Sequence, residues 1–132
     1  MARIEKIIKG EYYHLYNAGN GSQALFKDDT DRARFLFLIL HLQSPVMFNH
    51  LSRPLEHFKK EGTFKTSEYT SKAVAKSRYI ELISFTILNN HFHLVIKEMK
   101  DGGVSHYMQR VLNAYTKYFN TRYNKKGHLF MG

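Results

Sequence analysis

The stretch Tyr79–Glu98, YIELISFTILNNHFHLVIKE, decides the fold. Its first half is β-branched and aromatic, Asn89-Asn90 supplies a tight turn, and HFHLVIKE follows as a second extended run. Asparagine tolerates the left-handed conformations that short hairpin loops need, so the segment predicts an antiparallel β-hairpin. Side chains alternate along a strand, which places His91 and His93 on one face and Phe92, Leu94 and Ile96 on the other. Downstream, past Asp101-Gly102-Gly103, the apolar period changes. Val104, Tyr107/Met108, Val111, Tyr115 and Tyr118/Phe119 recur at helical spacing, with Gly127 as the stop signal. Upstream, residues 11–18 (EYYHLYNA) read as a strand running into an Asn/Gly-rich loop. Asp28–Asp31 then offers capping carboxylates ahead of a helix of about four turns ending near Leu42, whose segment Phe35–Leu40 is apolar nearly all round. Residues 44–78 are polar and basic and hold both prolines. They read as a surface excursion with short helices near 53–60 and 67–76. The order strand, helix, excursion, strand, strand, helix fits an α+β fold, a ferredoxin-like antiparallel sheet with helices packed on one face, as a single domain over residues 1–132.

Composition narrows the function. The chain has 132 residues, no cysteine, and 20 Lys/Arg against 11 Asp/Glu, a formal charge of +9. That length supports a real core without disulfides. The lack of cysteine removes thiolate zinc sites and thiol nucleophiles. No apolar run is long enough to span a bilayer, and the N-terminal MARIEKIIKG has no signal-peptide pattern, so the expectation is a soluble, cytoplasmic protein without a membrane partner. Surplus cations on a small domain point to phosphates.

Two imidazoles side by side on a strand with an apolar underside suit a divalent ion with open positions; ordinary strand histidines are the alternative. His14 reaches the pair only if the two strands are neighbours, and stacking among Tyr12, Tyr13 and Tyr16 is its expected state. His41, His50, His57, His106 and His128 lack partners at ligand spacing and read as surface or helix-end residues. From Gly102 onward there is no Asp or Glu, while Arg110, Lys117, Arg122, Lys125 and Lys126 accumulate. Arg110 and Lys117 share a helical face with Asn113 and Thr121, a candidate phosphate-tracking surface. Tyr115 and Tyr118 fall on or beside the apolar stripe and read as packed aromatics, and Tyr123 as an exposed one. Capping accounts for the acidic cluster.

Three segments together carry a resemblance: GEYYHLYNAGNGSQALFKDDTDRARFLFLIL, FTILNNHFHLVIKE and MQRVLNAYTKYFNTRYNKKGHLFMG. In that order the chain resembles the IS200-like family of tyrosine transposases, and most closely the branch associated with repetitive extragenic palindromes. Residues 44–78 look like a family-variable insertion. The resemblance implies a single-stranded DNA nuclease and strand transferase of the HUH class. His91 and His93 would hold Mg²⁺ or Mn²⁺, and a tyrosine would attack the scissile phosphate to leave a 5′-phosphotyrosine. It also implies single-stranded or hairpin DNA as partner, contacts from the loop at Asn17 and from the basic residues above, and a homodimer in some branches. Ala18 stands where the family often has Arg. The family's nucleophile lies on a further helix in a Tyr-Ile-x-x-Asn context that residues 1–132 do not contain, with Tyr115 the only fallback. The expectation is therefore a chain that lacks the tyrosine helix and is inactive alone. The competing expectation is a non-catalytic module that binds hairpin DNA or RNA.

Overall fold

A computed structural model of the chain describes residues 8–45, 52–64 and 68–131. The elements are β1 (Tyr12–Ala18), α1 (Asp29–His41), α2 (Ser52–Glu61), α3 (Glu68–Lys76), β2 (Ile80–Ile87), β3 (His91–Glu98) and α4 (Gly103–Tyr123). The architecture is α+β, as the sequence predicts. The expected hairpin forms as β2–β3, and β1 pairs antiparallel with the other edge of β3, giving the order β1-β3-β2. The strand carrying both histidines is thus the central one, the most rigidly held position a small sheet offers. A bulge between Leu82 and Ser84 shifts the β2 register; the extra residue, Ile83, stands exposed.

Strict alternation on β3 separates two environments. Phe92, Leu94 and Ile96 are completely buried, whereas His91, His93, Val95 and Lys97 are only partly covered. α1 and α4 fill the buried side: the Phe35 ring lies 4.9 Å from Phe92 and 5.3 Å from Tyr115. Burying this continuous apolar layer is the main driving force for the fold. The helical stripe read from sequence packs as predicted, with Val104, Tyr107, Met108, Val111, Tyr115 and Phe119 buried. The helix ends earlier than Gly127 suggests, because Asn124 adopts a left-handed conformation at the C-cap and its N–H bonds back to the Asn120 carbonyl.

Two local devices join α4 to the hairpin. Gly102 supplies no side-chain cap, so the buried Glu98 at the end of β3 accepts the Val104 N–H at 2.7 Å. At Gly103 a Cβ would stand 2.1 Å from the Tyr79 carbonyl oxygen, so only glycine admits this close approach. After α4 the chain returns to the sheet end that carries Ala18 and His91. Phe130 forms an antiparallel bridge with Gly19, the Asn20 N–H bonds to the Leu129 carbonyl, and the Met131 N–H bonds to the Ala18 carbonyl. In the 44–78 excursion, α2 and α3 match the short helices expected there. No helix among the described residues is long and apolar enough to cross a membrane.

Candidate functional site

On the open side of the sheet, opposite α1 and α4, five rings gather. β1 presents Tyr12, His14 and Tyr16, all exposed; β3 presents His91 and His93. The register places Tyr16 across from His93, His14 across from Val95 and Ala18 across from His91. The two imidazoles meet nearly edge to face, with ring centroids 5.4 Å apart at 83°.

Each imidazole of the pair is held by one of its nitrogens. His91 Nδ1 lies 2.9 Å from Asn90 Oδ1. An amide oxygen only accepts, so this contact calls for a proton on Nδ1, and in that tautomer of the neutral ring the Nε2 lone pair is left over. His93 Nδ1 lies 2.9 Å from His14 Nε2, with the two rings parallel to within 7° and centroids 5.0 Å apart. The nitrogens are far closer than the centroids, so these rings meet at their edges. His14 is therefore a partner of His93, in addition to a member of the aromatic row. A ring held through one nitrogen, with the second left for a ligand, is the usual support of a metal-binding histidine.

The donor set fits a divalent ion in part. Two neutral imidazoles on one rigid strand are suitable ligands. Among the described residues, however, no group of three or more His, Cys, Asp or Glu is arranged to hold a metal. Among the described residues, His91 and His93 would supply two nitrogens to such an ion, and the rest of its shell would come from other ligands.

A family model described as "Transposase IS200 like" matches residues 52–132, which include the whole hairpin and α4. The chain belongs to the IS200-like transposase family. No curated protein and no solved structure matches it. The match begins after α1, so β1, which carries His14 and Tyr16, is joined to the transposase hairpin by the register of the sheet.

The basic residues of this transposase chain divide in a way the sequence does not announce. Lys117, Lys125 and Lys126 are exposed. Arg110 instead turns inward, where its guanidinium donates to the Ser44 carbonyl at 2.6 Å and to the Tyr79 hydroxyl. Arg122 is drawn into ion pairs with Asp28 at 2.7 Å and Asp31 at 2.6 Å. Both arginines thus have structural partners that compete with a phosphate for their donors. Asn17 is buried, and its Oδ1 accepts the neighbouring Ala18 N–H, which removes it from the loop surface. Lys117 projects from the solvent side of α4, on the opposite side of the molecule from the histidines. Lys125 and Lys126 lead into the segment that rejoins the sheet at Gly19, nearer the His91 end.

The tyrosines of α4 are placed far from the pair. Tyr115 is completely buried beneath the sheet, its hydroxyl donates to the Leu25 carbonyl at 2.5 Å, and burial pushes its pKa far above the ordinary tyrosine value. It cannot reach a phosphate at His91 and His93, so the fallback assignment is withdrawn. Tyr118 and Tyr123, read as a packed and an exposed aromatic, both donate to Asp31, at 2.6 and 2.5 Å. Burial first, and then the Asp31 hydrogen bond, push Tyr118 up to about 12.

Asp31 is the residue that capping alone does not explain. Asp28 does cap α1, accepting the Asp31 N–H at 3.0 Å. Asp31 itself is completely buried and also accepts from the Lys27 N–H and the Arg122 guanidinium. Of the remaining histidines, His41 stacks on Phe37 and burial holds its pKa below the ordinary value. His57 bonds to the Thr63 carbonyl, His106 packs against Tyr79, and His128 is exposed. His50 lies outside the described residues.

Proposed function

We propose that this transposase domain binds hairpin DNA with a single-stranded flank and presents the scissile phosphate to His91 and His93. The observation that supports it is the pair itself: two imidazoles on the central strand, each tethered from behind by Asn90 or His14, with Nε2 uncommitted on an open face. Mg²⁺ or Mn²⁺ bound there would polarise the phosphate and offset charge as it is attacked. Asn90 and His14 fix the rings so that no reorganisation is needed when the phosphate arrives. Lys125 and Lys126 hold the backbone close to the His91 end, and Lys117 engages a more distant part of the DNA.

For cleavage, a tyrosine hydroxyl gives up its proton as its oxygen bonds to phosphorus, the P–O3′ bond breaks, and the released 3′-oxygen takes a proton; for strand transfer, a 3′-hydroxyl attacks the phosphotyrosine and the tyrosine oxygen leaves and is reprotonated. The nucleophile in this reading is a tyrosine outside residues 1–132. We place the chain near the branch associated with repetitive extragenic palindromes. A second reading, a module that binds hairpins without cutting, is favoured by one observation. The hydroxyls of Tyr115, Tyr118 and Tyr123 are all committed to internal acceptors.

One experiment separates the two readings. A labelled hairpin with a single-stranded flank is incubated with the chain in Mn²⁺ or in chelator, then run on native and denaturing gels. We expect several-fold tighter binding with Mn²⁺ and no covalent adduct. Equal binding in chelator would favour the module without metal, and an adduct would show that a tyrosine of this chain is the nucleophile.

A further inference from the structure

The open sheet face carries more aromatic surface than the histidine pair needs. Tyr12 and Tyr16 are 59% and 46% exposed, four residues apart on β1 and on the same side. Large rings standing free on a sheet face gain nothing from the core, which lies on the other side. Tyr16 lies 5.1 Å from His93 and 5.7 Å from His91, tilted by 48° and 49°, so neither imidazole stacks flat against it. Tyr12 has the Lys97 ammonium 5.5 Å from its ring centroid. Across β3 the outward positions continue with Ser84 and Thr86 of β2, and a carboxylate paired into this face, Glu81, sits opposite Lys97 at the far end.

We propose that Tyr16 and Tyr12 stack nucleobases of a DNA single strand laid across this face, with Tyr16 setting which base sits beside the histidine pair. Antiparallel sheets that present exposed rings on an open face hold single-stranded nucleic acid in this manner, because every base offers a π-face. The character of the chain identifies the occupant: it belongs to a transposase family, carries +9, and places a cation next to one ring and two imidazoles next to the other. At about 3.4 Å per residue the two rings are about 14 Å apart along β1, so they meet different nucleotides of one strand. Lys97, across from Tyr12, offers a phosphate contact at that end of the row. This inference rests on the DNA-binding reading above and adds to it the residues that fix the register of the strand.

The test uses the full chain and a short thymidine single strand carrying 2-aminopurine, followed by anisotropy and by base fluorescence over a series of salt concentrations. Tyr16→Leu is expected to weaken binding about tenfold and to relieve quenching of the 2-aminopurine, whereas Tyr16→Phe stays within about twofold of the native chain. The salt dependence keeps its slope in both variants, because no charge is removed; Lys125→Ala with Lys126→Ala lowers that slope and serves as the contrast. Tyr16→Leu binding as tightly as the native chain would overturn the stacking role alone. So would a Tyr16→Phe loss as large as that of Tyr16→Leu, since it would assign the effect to the hydroxyl. A native chain that does not bind the strand at all would overturn both this inference and the DNA reading beneath it.

Discussion

Replacing Asp31 with alanine is expected to lower the unfolding free energy by about 3 kcal/mol, read as a fall in the urea midpoint at constant slope. The carboxylate is completely buried and accepts four hydrogen bonds: from the Lys27 amide, the Tyr118 and Tyr123 hydroxyls and the Arg122 guanidinium. Alanine removes one acid but strands several donors, and the unmade hydrogen bonds dominate the cost. Arg122 remains about one-third exposed and can turn to water, which keeps the loss at the lower end for a broken buried pair. Asp28→Ala gives a smaller loss of about 1 kcal/mol, the usual value of an N-cap. The Arg122 hydrogen bond, with help from the Asp31 amide, holds the Asp28 carboxyl down at about 2, below its ordinary 3.8. The folded state therefore takes up this proton less readily than the unfolded chain. The contribution of Asp28 is fully present above about pH 4 and disappears as pH falls toward 2. Unfolding midpoints of the native chain and Asp28→Ala should accordingly converge in that interval.

The second large effect is expected at the histidine pair. His91→Ala combined with His93→Ala should abolish measurable Mn²⁺ binding by calorimetry while leaving the unfolding free energy within about 0.5 kcal/mol, since both rings are partly solvated and their ring partners are His14, Tyr16 and each other. A structural role for the pair predicts the reverse, with stability lost and metal affinity unchanged. Removing the tether alone tests the same geometry from behind. His14→Phe keeps an aromatic ring but offers no nitrogen to His93 Nδ1, and should weaken Mn²⁺ about tenfold, the usual effect of an outer hydrogen-bond partner. Because both protein donors are imidazole nitrogens and, among the described residues, no carboxylate joins them, Mn²⁺ is expected to bind more tightly than Mg²⁺.

The hairpin and the face carrying His91 and His93 were readable because a period of two leaves one answer: shift the register by one residue and Phe92, Leu94 and Ile96 would all face water. The α4 stripe was readable for the same reason at period 3.6. What could not be read was which side chains meet across long separations. Arg122 looked like a free phosphate contact because its acidic partners lie more than ninety residues away, in a segment that local capping already explained. Arg110 looked solvent-facing on its helix, yet the carbonyl of Ser44 and the hydroxyl of Tyr79 draw it inward. Asn17 carries the signature of a loop and is buried. The contact of His14 with His93 depends on β1 pairing with β3, and strand order is not encoded in either strand alone. The cluster of Tyr118, Tyr123 and Asp31 did leave one signal: two tyrosines and an arginine recurring at helical spacing opposite an acidic helix start.

Pulsed EPR on Mn²⁺ added to the chain, with histidine labelled by ¹⁵N, tests the central assignment most directly. Nitrogen couplings from two imidazoles, absent in the combined His91→Ala and His93→Ala variant, are the predicted result. Bound Mn²⁺ that couples only to water protons, or nitrogen couplings that survive the loss of both histidines, would contradict it.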